Sequence, residues 1–294
     1  MMSDSPSSQK TYPLSVVIPT LGGETLRGTI EQLNRGTVVP SEILVCIPEE
    51  DADRVKGLSF ANVRVVKTRI RGQVAQRAVG FQEATEPLVL QLDDDIYLEE
   101  SCLSILIESM GKKSNVAISP SLLDCNTGKL SRFMNKPDQA DNFLYKLQFR
   151  IINGTDGYQP GNIARAGVNM AFSDTATEPY EVEWLPGGCT LHHRENLVKY
   201  NYYPYEGKAY GEDLFHSAIM RQNGLNLYHC PRAICRLDLS SSKGGGILSL
   251  ASIFLGNSRA MFSFATLIGA SRSKLLFFII IHHLLLVLNK LKRK

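Results

Sequence analysis

Apolar residues fall in short runs through the first third of the chain, and each run ends at a proline or a polar stop. Leu14-Ser15-Val16-Val17-Ile18 is rich in β-branched residues and closed by Pro19, which predicts a buried strand. Residues 25–34 have helical character and end near Gly36. Residues 42–47, closed by Pro48, and residues 63–66 predict two further strands. Residues 73–84 predict a helix with Val74, Ala78 and Phe81 on its apolar side. Residues 87–92 predict a fourth strand that runs straight into Asp93-Asp94-Asp95. Strands alternating with helices predict βαβ units and a mostly parallel sheet flanked by helices. Such sheets bind ligands beyond the carboxyl ends of their strands, where Pro19-Thr20 and the Asp triplet both stand.

From 126 to 181 the pattern is lost in Gly, Asn, Asp and Pro, apart from one helical piece near 143–151. No tandem repeat is present. Order returns at 182–185, followed by Pro186-Gly187-Gly188 and a helix from 211 to 223, stopped by Asn223-Gly224. Residues 225–228 and 233–237 predict late strands. Residues 275–288 are then apolar except for His282 and His283. As a helix they span about 21 Å, short of the ~30 Å hydrocarbon core of a bilayer. Residues 247–255 and 260–270 are apolar with small polar interruptions, which suits helices lying in an interface. The chain therefore divides into a body, 13–240, and a membrane-associating helical region, 241–294.

Composition bounds the reading. The 294 residues are 44% apolar and 21% charged, a globular balance that excludes a disordered or collagen-like chain. Six scattered cysteines with no C-x-x-C pair argue against a zinc module and for reduced, mostly buried thiols in a cytosolic setting. Residues 1–10 are polar and Ser-rich, without the apolar core of a signal peptide, so export is not expected. The net charge of +3 hides an asymmetry. Beyond Asp238 lie Lys243, Arg259, Arg272, Lys274, Lys290, Lys292, Arg293 and Lys294 with no acidic residue, which leaves the preceding body net acidic. A basic apolar tail on an acidic body predicts peripheral attachment to the cytoplasmic face of a membrane, through anionic head groups. A buried C-terminal helix with a solvated basic end is the plainer alternative. Nucleic acid is not expected as a partner, because the body that would bind it is acidic.

Three consecutive carboxylates at a buried strand end repel one another. A hard divalent cation with oxygen ligands resolves the conflict and leaves positions open for phosphate oxygens. A solvated acidic turn is the alternative. The sequence has neither G-x-G-x-x-G after its first strand nor G-x-x-x-x-G-K-[ST], which removes support for dinucleotide and P-loop readings. Arg69, Arg71, Gln73 and Arg77 crowd the next helix start and could clamp phosphates, or form an ordinary basic face. Glu212 and Asp213 open a helix, as a general base or simply as dipole partners. The dipole is expected to hold Asp213 ionised. Gly187 and Gly188 let a backbone approach a ligand closely, and Trp184 and the tyrosines from 200 to 210 suit a sugar ring, although for Trp184 and some tyrosines taken singly the core is the favoured place. The histidines show no metal-ligand spacing.

Taken together, Ser15-Val-Val-Ile-Pro-Thr20, Gln73-Val-Ala-Gln-Arg77, Leu92-Asp-Asp-Asp95, Glu183-Trp-Leu-Pro-Gly-Gly188 and Gly211-Glu-Asp213 resemble glycosyltransferase family 2, with the GT-A fold, over about residues 13 to 238. The resemblance implies an inverting, metal-dependent sugar transfer from a nucleotide-sugar donor to a glycan or lipid-linked acceptor. It puts Thr20 near the base, with Gln73 and Arg77 near the nucleotide. It gives Asp93 and Asp94 to the nucleotide, and Asp93 and Asp95 to Mn²⁺ or Mg²⁺. Asp213 is implied as base, with Trp184, Gly187, Gly188 and Glu212 on the substrate side. Two positions depart from the family. Where it often has an Asp pair after the second strand, this chain has Ile47-Pro48, with Glu49 the nearest carboxylate to serve the nucleotide. Where it often has a late metal-binding His, Asp238 stands as a substitute. A sugar-nucleotide nucleotidyltransferase and a non-catalytic glycan-binding protein on the same scaffold are the competing functions.

Overall fold

The computed structural model describes residues 10–131, 143–173, 175–206, 208–237 and 247–292. The first six elements follow the predicted order: β1 (Lys10–Pro19), α1 (Thr25–Arg35), β2 (Val38–Pro48), β3 (Val63–Thr68), α2 (Gln73–Glu83) and β4 (Leu88–Leu92). Next come β5 (Ile96–Leu98), α3 (Cys102–Met110), β6 (Val116–Asp124), α4 (Phe143–Asn153), β7 (Tyr180–Val182) and β8 (Cys189–His193). The chain continues through α5 (Glu212–Gln222), β9 (Asn226–Leu237), α6 (Ile247–Leu267) and α7 (Arg272–Lys292). The apolar pattern leaves β5, α3, β6 and β8 unassigned. The two late strands are one: β9 is continuous, with a register shift where Ser121 of β6 follows Pro120 but pairs Ile234 rather than a neighbour of Cys230.

The strands form one sheet in the order β3-β2-β1-β4-β8-β6-β9-β5, with β7 also on β9. The expected parallel sheet covers β3-β2-β1-β4. Beyond it the sheet is mixed, because β8 runs antiparallel to both β4 and β6. Strand alternation splits the apolar runs between two cores. Val16, Ile18, Ile43 and Val45 pack with Leu26, Ile30 and Leu33 of α1. Val17, Leu44 and Val89 pack with Phe81 of α2 on the opposite face. Helix α2 approaches that face closely at Gly80, where a Cβ would lie 2.6 Å from Cys46 Sγ. That approach carries the polar first turns of α2 to the carboxyl ends of β1, β2 and β4.

The segment without sequence pattern contributes α4, which packs with α6 and α7 through Phe149, Ile152, Ala265 and Leu275. Helix α6 is a single helix across the two apolar stretches. It is tied to the body, since Phe264 joins the main core with its ring 5.5 Å from that of Phe215. None of the helices among the described residues is long and apolar enough to cross a membrane. The expected boundary at 240/241 and the Asp238 candidate lie outside the described residues. No disulfide joins the six cysteines among the described residues, and all but Cys125 are buried.

Candidate active site

Three polar residues of α2 reach the strand ends. Gln76, wholly inside, donates from Nε2 to the carbonyls of Thr20 and Cys46, both at 2.8 Å, while its Oε1 accepts from the Gly72 amide at 3.1 Å. It locks the helix start to β1 and β2. Gln73 donates to Asp93 Oδ1 at 2.8 Å. Arg77, only 1% exposed, donates to Glu212 Oε1 at 2.8 Å and to Asp93 Oδ1 at 3.2 Å. Burial alone would lower the Arg77 pKa, but Glu212 and Asp93 overcome it and raise the pKa above the ordinary value.

Asp93 follows β4, and its amide donates to the Gly188 carbonyl at 2.8 Å. Burial pushes its carboxyl up to about 7; Asp95 and Glu212 add to the rise, while Arg77 and the Gln73 hydrogen bond oppose it. Asp94 is tied through Oδ2 to the Thr20 hydroxyl, and its carboxyl is also raised, chiefly by burial. No three His, Cys, Asp or Glu side chains gather as a ready metal cage among the described residues. The donor chemistry nonetheless fits a hard divalent cation that keeps sites for phosphate oxygens. The Asp93 carboxylate is crowded by other acids, and Gln73 and Arg77 engage only its Oδ1.

Gly187 and Gly188 bring the second acidic group to the first. A Cβ on Gly187 would lie 3.6 Å from Asp213 Cβ, and a Cβ on Gly188 would lie 3.3 Å from Asp93 Oδ2. One glycine step thus separates the Asp triplet from the first turn of α5. The turn into α5 uses Gly211 at φ +62°, a left-handed conformation that favours glycine. Glu212 is buried with both oxygens engaged, Oε1 by Arg77 and Oε2 by the Tyr202 hydroxyl at 2.6 Å. Asp213 is half-buried. Burial first, and Glu212 second, push its carboxyl up to about 7 against the lowering effect of backbone amides.

Several expected roles change. Trp184 is 2% exposed, stacks on Phe172 at 4.8 Å and donates from Nε1 to the Met170 carbonyl, so it is core and presents no face to a sugar. Arg77 and Glu212, expected at the nucleotide and on the substrate side, are both buried and pair with each other at 2.8 Å. The expected ionised state of Asp213 is opposed by burial, which raises its carboxyl against the backbone amides at the helix start. Tyr202 and Tyr203 anchor the start of α5, with Tyr203 donating to the Tyr210 carbonyl at 2.8 Å. Glu49 is exposed beyond β2, whereas Asp51 is buried and bound to Arg71 at 3.0 Å. His192 and His216 are buried and held neutral, their pKa values lowered by burial first. A cleft of about 520 Å³ lined by Glu181, Arg221 and Leu267 contains none of the triplet.

Sequence reasoning missed Gln76 and Gln91, and it read Tyr202 as a sugar-ring surface where its hydroxyl instead holds Glu212. Gln91, the lone polar residue in the apolar β4 run, bonds the Gly187 carbonyl through Nε2. A buried polar residue in such a run demands a partner, which was the available signal. Gly187→Ala is expected to lower the thermal unfolding midpoint by several degrees, since its Cβ would overlap Glu212 Oε1, which Arg77 holds in place. Gly188→Ala should cost less, because its nearest obstacle is the rotatable Ile96 Cδ1. Scanning fluorimetry of both variants checks this order.

A family model described as Glycosyl transferase family 2 matches residues 15–171, more than half of the chain. No curated protein sequence matches it. Among solved structures the chain is similar to the crystal structure of GalNAc-T7 with UDP, GalNAc and Mn²⁺, at 20% identity and a TM-score of 0.54. The alignment covers 76% of this chain and 43% of that one, so the chain spans less than half the length of this relative. At this identity the likeness shows the shared fold.

Proposed function

The chain belongs to glycosyl transferase family 2, and from that premise we propose a metal-dependent, inverting sugar transfer from a nucleotide-sugar donor to a glycan or lipid-linked acceptor. The observation that carries this reading is the Gly187-Gly188 step, which sets Asp213 beside the Asp93–Asp95 triplet at the carboxyl edge of the parallel strands. Asp93 and Asp95 would hold Mn²⁺ or Mg²⁺, the oxygen-loving ions their chemistry suits. When bound, such an ion supplies Lewis-acid stabilisation of the departing diphosphate. UDP and Mn²⁺ in the GalNAc-T7 structure support the same donor and ion class.

The protein groups do the rest. Asp213 accepts the acceptor hydroxyl proton as that oxygen attacks the anomeric carbon and the bond to the diphosphate oxygen breaks. The buried chain Tyr202–Glu212–Arg77–Asp93 fixes the base helix against the triplet, so the two carboxylates keep their spacing. Thr20 at the end of β1 and Asp94 after β4, joined through the Thr20 hydroxyl, would frame the nucleotide, and exposed Glu49 stands beyond β2 for the base. The basic apolar C-terminal region would hold the enzyme at the cytoplasmic membrane face, where a lipid-linked acceptor lies.

Calorimetry with UDP tests the proposal. Affinity in Mn²⁺ is expected to exceed affinity in chelator by about tenfold or more. Asp95→Asn should remove most of that difference. Nucleotide affinity indifferent to both would sink the metal-dependent reading.

A further inference from the structure

We propose that the outer faces of α4 and α7 together form a docking face for an anionic lipid bilayer. The proposal rests on the membrane-surface reading above and extends it to α4, a helix from the middle of the chain. The inward side of α4 is already satisfied: Phe149 and Ile152 are buried, and the Phe149 ring lies 6.2 Å from that of Phe278 on α7. The outward side is apolar as well. Phe143, Leu147 and Ile151, spaced by four residues, are exposed, Phe143 by 74%. On α7 the same spacing recurs in Leu276, Ile280 and Leu284, all at least half exposed. Two adjoining helices that each show an apolar stripe to solvent mark an interaction surface.

Charge selects the occupant. Helices α4, α6 and α7 contain no Asp or Glu. Lys146 and Arg150 stand beside the α4 stripe, Arg272 and Lys274 open α7, and Lys290 and Lys292 close it. A second copy of the same face would bring like charges together, whereas anionic head groups complement them. At 11 residues α4 is far too short to span, so it would lie in the interface plane with its stripe among the acyl chains. The bilayer would then meet α4 directly, placing that helix beside a lipid-linked substrate.

Vesicle flotation of the full chain tests the face. Binding is expected to phosphatidylcholine vesicles containing phosphatidylglycerol, and to be far weaker without it. Phe143→Glu with Leu147→Glu should weaken binding by about tenfold or more, as should Ile280→Glu. Circular dichroism and UDP release from a nucleotide sugar confirm that each variant folds and keeps its site. Wild-type binding by the α4 variant, or no binding by the wild-type chain, overturns the proposal. So does a dimer that the α4 variant converts to monomer with vesicle binding unchanged. Loss of UDP release with vesicle binding intact would strike the catalytic reading and leave the docking face standing.

Discussion

Asp213→Asn is expected to lower sugar transfer by about 10²–10⁴-fold while leaving UDP affinity within about twofold. The amide keeps the size of the carboxylate and its place in the first turn of α5, but it cannot take the acceptor proton. Its neighbours need not change, since Asp213 accepts from backbone amides, that of the adjacent Leu214 at 3.0 Å and its own. The pH dependence follows from the same group. Burial and Glu212 raise its carboxyl to about 7. The base form is the deprotonated one, so kcat/KM should fall about tenfold per pH unit as pH drops below about 7. Saturating Mn²⁺ is the right condition, because Asp93 otherwise titrates in the same range. An Asn variant that still turns over, or a profile flat from pH 5 to 8, would remove Asp213 from the chemistry.

Arg77→Met should destabilise the fold by about 3–5 kcal/mol, the cost of leaving a buried charge without its partner. The guanidinium is the cation between Glu212 and Asp93, and Glu212 would keep only the Tyr202 hydroxyl. Adding Glu212→Gln to Arg77→Met should recover part of the loss, because removing both charges costs less than stranding one. Urea denaturation of the single and double variants measures both values. A loss under about 1 kcal/mol in the single variant would mean that water already reaches the pair. The same variants separate positioning from contact: if Arg77 acts through Asp93, the metal-dependent part of UDP affinity should fall with the single variant.

The apolar runs at 14–18, 42–47 and 87–92, each closed by a proline or a polar stop, were enough to determine the strands β1, β2 and β4, because they record which side chains must leave water. The sequence pattern also set the Asp triplet at a strand end and Glu212-Asp213 in a helix first turn, since both positions depend only on local spacing. The tertiary structure decided what those residues touch. Arg77 and Glu212 are 135 positions apart and meet only because β8 inserts between β4 and β6, carrying Gly187 and Gly188 to the site. The same arrangement sent Trp184 into the core, made Glu212 an internal counterion, and laid α4 against α7. Local periodicity reports how much of a residue is buried; which charge it is buried against depends on strand order, and strand order is fixed by contacts between distant parts of the chain.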